Sequence, residues 1–442
     1  MTTHRISAAL ATFALLAGLA VSTAGAERLP AATAYNVRES YRLLSTSYYK
    51  PVEDTVLLEG ALDGLAIAAH KKGIRLALPD LHRLSRGAAL DVLDDAIASA
   101  AVSLHVTPTD ASYFAIAGMA KSVGDKYTQF FTPDELKQFD EALDPEKISG
   151  IGVIVAPDVA TGFIQAAYVV PGTPADRAGI QSGDDLVSVD GISTKGMVQE
   201  GVTKILRGRT GTVARVGTAR AGKTLVPLSI VRAQVSPPTV IYRMLPDKVA
   251  YLAIFAFGQE TPDQFSAALE RVRSLGAQAL VVDLRNNGGG YVRSAVLIAQ
   301  HFIANKPLLT VEQRGLAAQT IDAEDESTVT LPMTVLVNQY SASASEIAAG
   351  ALQDDGAALL VGNKTFGKGV MQDVTRLSDG SAIKITIAHY LTPANRDINL
   401  KGIVPDVVVD ENKDARFGDP LHDAQLRAAL TVLQRKLALK TP

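Results

Sequence analysis

Ala279-Leu280-Val281-Val282 contains no polar residue and runs directly into Asp283-Leu284-Arg285-Asn286-Asn287-Gly288-Gly289-Gly290. An unbroken apolar run of this kind, without alternation, belongs to a strand covered on both faces, which calls for a sheet between helices. The glycines that follow let the backbone come close to a neighbour or a ligand. A second run, Met333 to Val337, leads into Asn338-Gln339-Tyr340 and then Ser341-Ala342-Ser343-Ala344-Ser345-Glu346, with a helix predicted from about Ser345 to Gln353. Gly290 and Ser343 would then lie beyond the carboxyl ends of strands, where α/β sheets place their sites. Thr261-Pro262-Asp263-Gln264 predicts a further helix start, with Thr as cap, Pro at the first position and Gln closing a capping box.

The remaining chain reads differently. At 442 residues it is too long for one core. Residues 1–26 carry Arg5, an apolar run from about Ala8 to Val21 and Ala24-Gly25-Ala26. That pattern predicts a secretory signal cut after Ala26 and an exported, most readily periplasmic, mature protein; as an uncleaved anchor the run is short of a full membrane span. Residues 27–143 show helical spacing, as in Leu57, Leu58, Leu62, Leu65 and Ile67. Residues 144–235 form short β-like runs with Gly-rich turns up to a Ser236-Pro237-Pro238 linker, and 236–442 alternate strand and helix before returning to helical spacing from about Pro420.

Composition excludes several chemistries. The formal charge is −3, with both signs mixed along the chain, so no basic face for nucleic acid is evident. Without cysteine there are no disulfides, thiol nucleophiles or zinc thiolates, and the seven histidines show no HExxH or HxH spacing. No metal or cofactor is therefore expected. Gly217 to Thr224 matches G-x-x-x-x-G-K-T, but the alternating run from Leu225 that includes Pro227 predicts a hairpin where a phosphate loop needs a helix. Gly362 to Lys368 looks similar, yet Gly369 stands where a magnesium-binding hydroxyl belongs, and a strand-like run follows.

Ser343 and Glu346 have the spacing of a capping box, which makes Ser343 a good helix start. To be a nucleophile it needs an adjacent base, and no G-x-S-x-G elbow is present. Lys368 lies between glycines near Phe366, Val370 and Met371, surroundings that could bury an amine. Lowering a lysine pKa from about 10.4 to roughly 7–8 costs on the order of 4 kcal/mol of desolvation. On these residues alone, cap or nucleophile and solvated loop or base all stay open.

The run SASASEIAAGALQDDGAALLVGNKTFGKGVMQ, Ser341 to Gln372, resembles the active-site signature of the C-terminal processing peptidases, or tail-specific proteases, an exported serine-lysine family. Gly118 to Pro133 resembles the family's N-terminal helical motif; Gly150-Ile151-Gly152-Val153 and the stretch from Pro171 resemble a PDZ domain; DLRNNGGG and Gly402-Ile-Val-Pro-Asp resemble its glycine loop and terminal motif. The likeness implies a multidomain α+β protein with a helical N-terminal domain, a PDZ domain and an α/β, crotonase-like serine protease core. In the family the nucleophile precedes the base by 25 positions, which implies Ser343 and Lys368. Gln372 matches the position that helps orient the lysine. The amides of Ala344 and of Gly288 or Gly289 would hold the oxyanion. Asp354 matches an acidic position sometimes placed in a relay, with a structural carboxylate equally open. Gly150 to Val153 would capture a substrate carboxylate while the helix around Val198, Val202 and Ile205 forms the opposite wall, implying protein substrates with apolar, uncharged C-termini. A catalytically silent peptide-binding scaffold is the alternative. An adaptor protein and a homo-oligomer are left open, and the segment from His70 to Ser112 is longer than the family pattern.

Overall fold

The computed structural model describes residues 28–143, 147–158, 160–324, 329–410 and 418–438; the expected signal segment lies outside them. The described residues form two compact units, one of 28–41 with 54–122, the other of 42–53 with the described residues from 123 onward.

The smaller unit is helical. It holds the start of α1 (Ala31–Ser47), then α2 (Asp54–Lys71), α3 (Arg86–Leu104) and α4 (Pro108–Ser122). Leu57, Leu65, Leu93, Ile97, Ile116 and Met119 recur at helical spacing and are fully buried. Helices α2 and α4 touch backbone to backbone, since a Cβ on Gly118 would lie 2.1 Å from the Gly60 carbonyl oxygen. The long segment from His70 to Ser112 is largely α3 with its approach, tied to α1 by Arg38 ion pairs with Asp91 and Asp94.

The larger unit opens with β1 (Gln129–Phe131) and α5 (Pro133–Leu143). The stretch after Ser122, read from sequence as more of the helical domain, instead pairs β1 antiparallel with Ala382 to Lys384 and so groups with the core. The PDZ domain follows: β2 (Ile148–Gly150), β3 (Val153–Pro157), β4 (Ile164–Val169), α6 (Pro174–Arg177), β5 (Asp185–Val189), β6 (Ile192–Ser193), α7 (Gln199–Leu206), β7 (Val213–Arg220), β8 (Lys223–Thr224), β9 (Leu228–Val231) and β10 (Ala233–Val235). In its sheet, ordered β3-β4-β5-β7-β8, strand β3 is an edge. The first phosphate-loop lookalike is the β7–β8 hairpin, with Arg220 opposite Lys223 and positive φ at Ala221 and Gly222.

The α/β core contains β11 (Val240–Met244), β12 (Val249–Ile254), α8 (Thr261–Ser274), β13 (Ala279–Asp283), α9 (Val292–Ala299), β14 (Pro307–Gln313), β15 (Gln319–Asp322), β16 (Met333–Val337), α10 (Ala344–Asp354), β17 (Ala358–Gly362), β18 (Val370–Arg376), β19 (Ala382–Leu391), β20 (Val407–Val408) and α11 (Ala424–Ala438). The central sheet runs β11-β12-β13-β16-β17-β20, parallel apart from β11. Leu280 and Val282 pack toward α8, α9 and α10, whereas Ala279 and Val281 pack toward Leu426, Ala429 and Leu433 of α11, which explains the unbroken apolar run. A second, antiparallel sheet is built around β19, with β18, β14 and β1 beside it. The start of α8 departs from the sequence reading: Thr261 is its first residue rather than its cap, and its hydroxyl bonds back to Ala256 and Gly258. Gln264 does not close a box on α8; its side-chain oxygen accepts from the Thr239 amide at 2.7 Å and holds the linker.

Candidate active site

The parallel strands β13, β16 and β17 each end in a loop on the same side of the sheet: the glycine loop, the serine loop and the lysine loop. The first two are stitched together. Asn286 and Asn338 exchange hydrogen bonds of 3.0 Å, backbone amide to side chain in one direction and side chain to side chain in the other. Ser341 Oγ donates to the Leu284 carbonyl and Ser345 Oγ to the Asn287 carbonyl, both at 2.8 Å. Ser341 and Ser345 are completely buried by these contacts, and only Ser343 of the three reaches the surface. Gly289 lies against it. A Cβ there would come within 2.9 Å of Ser343 Cβ and 3.0 Å of the Ala344 nitrogen, so the position admits only glycine.

Ser343 begins α10 with φ 58° and ψ −117°, a conformation that side chains rarely adopt. The capping-box residues face each other, and the Ser343 amide donates to Glu346 Oε2 at 2.9 Å. Glu346 is fully buried and does more than cap. Its two oxygens also accept from the amides of Gly367 and Lys368, at 2.7 and 2.8 Å, and from Thr365 Oγ1 at 2.6 Å. The Tyr390 hydroxyl reinforces the junction, 2.7 Å from the Lys368 carbonyl and 3.2 Å from that of Ser343. One carboxylate and one phenol therefore hold the serine and lysine backbones side by side.

Burial pushes the Lys368 amine down to about 8, helped by the nearby Lys384 and opposed by Asp125 and Glu346. Its Nζ lies 5.0 Å from the Tyr127 ring centre. Gln372, on β18, donates from Nε2 to Thr386 Oγ1 at 3.4 Å. The Ala344 amide, in the first turn of α10, and the Gly288 amide make no hydrogen bond among the described residues. Gly289 differs from the expectation of an alternative donor, because its amide already donates to Asn287 Oδ1 at 2.9 Å. Asp354 is not brought to this junction. It ends α10, roughly 15 Å of helix from Ser343, where it accepts from the Ala394 amide and pairs with Arg396.

The glycine loop and the lysine loop share one buried anchor. Arg285 pairs with Asp283 beside it and with Asp423 just before α11, and donates to Gln425 Oε1. Gln425 Nε2 in turn donates to Asn363 in the lysine loop and to the Val409 carbonyl, both at 2.8 Å. None of Tyr390, Thr386, Asp125 and Asp423 was apparent from sequence spacing, and Glu346 was apparent only as a cap.

In the PDZ domain a groove of about 250 Å³ runs between edge strand β3 and α7, with Gly150, Ile151, Gly152 and Val153 among its lining. The amides of Ile151 and Gly152 make no hydrogen bond among the described residues. The helix wall is α7 as expected, but a different face of it: Gln199, Thr203, Leu206 and Arg207 line the groove. Val202 is buried in the domain core with Ile205 packed against that core, and Val198 is 71% exposed.

Residues 248–409 match the model of peptidase family S41, and 165–220 that of a PDZ domain. A carboxyl-terminal-processing protease of Picosynechococcus sp. is 33% identical over 341 residues, 75% of this chain and 81% of that protein. Carboxyl-terminal-processing peptidase 3, chloroplastic, of Arabidopsis thaliana is 35% identical over 313 residues, 67% of this chain and 60% of that protein. The carboxy-terminal processing protease CtpA of Bacillus subtilis is 35% identical over 294 residues, 66% of this chain and 62% of that protein. The chain thus spans less than two thirds of the length of the last two relatives. Among solved structures, the photosystem II D1 C-terminal processing protease is 27% identical with a TM-score of 0.46, covering 86% of this chain and 94% of its own. By the family model and the extent and identity of the sequence matches, the chain belongs to peptidase family S41, alongside the carboxyl-terminal-processing proteases.

Proposed function

We propose that this protein is an exported serine endopeptidase that cleaves proteins near exposed, apolar, uncharged carboxyl termini, with Ser343 as nucleophile and Lys368 as general base. The observation that carries the reading is the single buried carboxylate, Glu346, that holds the amides of both residues. At pH 7 an amine with a pKa of about 8 is neutral in roughly a tenth of molecules. In that form Lys368 takes the Ser343 hydroxyl proton as the oxygen attacks the scissile carbonyl. The Ala344 and Gly288 amides receive the oxyanion. Lys368 then returns the proton to the leaving amine, and the resulting ester is hydrolysed by a water that Lys368 deprotonates in its turn. The substrate tail adds as a strand along β3, with its carboxylate on the Ile151 and Gly152 amides. Export rests on the residue pattern of positions 1–26 and predicts a mature chain beginning at Glu27.

The test is cleavage of a reporter protein carrying an apolar, uncharged C-terminal extension. Wild type is expected to cleave it with a kcat/KM that rises with pH through about 8. Ser343→Ala and Lys368→Ala are each expected to lose at least about 1,000-fold. Binding of the tail without any cleavage by wild type would leave a peptide-binding scaffold, and undiminished cleavage by Ser343→Ala would remove the serine from the mechanism.

A further inference from the structure

The motif from Gly118 to Pro133 has no part in the chemistry described so far, yet its second half turns into the catalytic neighbourhood. Asp125 Oδ1 accepts from the Tyr127 amide at 2.9 Å, and Oδ2 accepts from Thr128 Oγ1 at 3.0 Å. Thr386 Oγ1, on β19, also donates to Asp125 Oδ2, and the Thr386 amide donates to Thr128 Oγ1 at 3.1 Å. A threonine hydroxyl has one proton. Since Thr386 spends that proton on its hydrogen bond to Asp125, it can only accept from Gln372, which must present its NH2 group, as it does at 3.4 Å. The side-chain oxygen of Gln372 is left as an acceptor with no donor among the described residues.

We propose that Asp125 is a positioning residue for catalysis: through Thr386 it fixes the amide of Gln372 with the carbonyl oxygen toward Lys368, while Tyr127 of the same turn covers the amine. The inference rests on Lys368 acting as the base. The Tyr127 ring lies 5.0 Å from Lys368 Nζ, and its buried hydroxyl has no hydrogen-bond partner among the described residues. The groups that face the amine are Asp125 and Tyr127 from the turn, Lys384 from β19 and Glu346 from α10, with Lys126 stacked on the outer aromatic groups, Tyr127 and Phe366. Lys384 is itself held, donating to Gln129 Oε1 at 2.9 Å. A turn far from Ser343 in sequence thus supplies both the orientation of the lysine's partner and part of the field around the lysine.

The test uses the full chain and the apolar-tailed reporter. Thr386→Val is expected to lower kcat about tenfold with KM within about twofold, and Thr386→Ser is expected to restore it. Combining Thr386→Val with Gln372→Ala is expected to cost no more than Gln372→Ala alone, because both remove the same restraint. Asp125→Asn keeps the shape but removes an anion that favours the ammonium form, so the acid limb of kcat/KM is expected to move down by about half a pH unit. Losses that multiply in the double variant, or an Asp125→Asn enzyme with unchanged kcat and an unmoved limb, overturn the proposal. An active Lys368→Ala enzyme overturns it at a different point, by removing the base on which it depends.

Discussion

Ser343 occupies a backbone conformation that favours glycine, and such strain costs of order 1–3 kcal/mol. Alanine at this position keeps the strain, whereas glycine relieves it. Ser343→Gly is therefore expected to be about 1 kcal/mol more stable than Ser343→Ala in urea unfolding, with neither enzyme active. Lys368 carries a comparable penalty from burial. Its amine is held at about 8 in the native state against 10.5 in the unfolded chain. Between those two values the unfolded state binds more protons, so stability rises with pH across that window; below it the full penalty of about 3 kcal/mol is present. Lys368→Met is expected to be more stable than wild type by up to that amount at pH 7, and the gap should close as pH approaches 10.5. A gap that does not change between pH 7 and 10.5 would mean that burial does not lower the pKa of the amine.

At the scale of elements, the groove between β3 and α7 has a wall that can be altered without touching the domain core. Thr203 lines it and is partly exposed, so Thr203→Trp should occupy the space of a substrate tail. KM for the tailed reporter is expected to rise about tenfold at unchanged kcat, with no effect on a short peptide that does not reach the groove. The fold class was readable because buried parallel strands leave unbroken apolar runs, as Ala279 to Val282 does, and because hairpins such as Arg220 to Lys223 announce themselves locally. The face of α7 was not readable, since Val202 and Ile205 look like a wall in sequence but belong to the domain's own core. Serines 341, 343 and 345 are likewise equivalent in the text and differ only in what covers them. Thr386 meets Asp125 across 261 positions, a pairing that leaves no local period to detect.

In the whole molecule, the site is closed by residues far apart in the chain. Arg285 reaches Asp423 across 138 positions, and Gln425 joins the glycine loop to the lysine loop. Removing one member of such a buried ionic cluster costs about 3 kcal/mol, because the remaining charge loses its partner. Asp423→Ala is expected to lose about that much stability and to lower kcat with little change in KM, measured by urea unfolding and steady-state kinetics. Loss of stability with kcat intact would make the cluster a fastening for α11 alone. The same contacts carry a consequence for biosynthesis. A ribosome makes Ser343 about eighty residues, and Lys368 about fifty-five residues, before it reaches Asp423. A half-made chain therefore holds Ser343 and Lys368 but not the residues that tie the glycine loop to the lysine loop, so the arrangement around them can close only after Asp423 and Gln425 have been made.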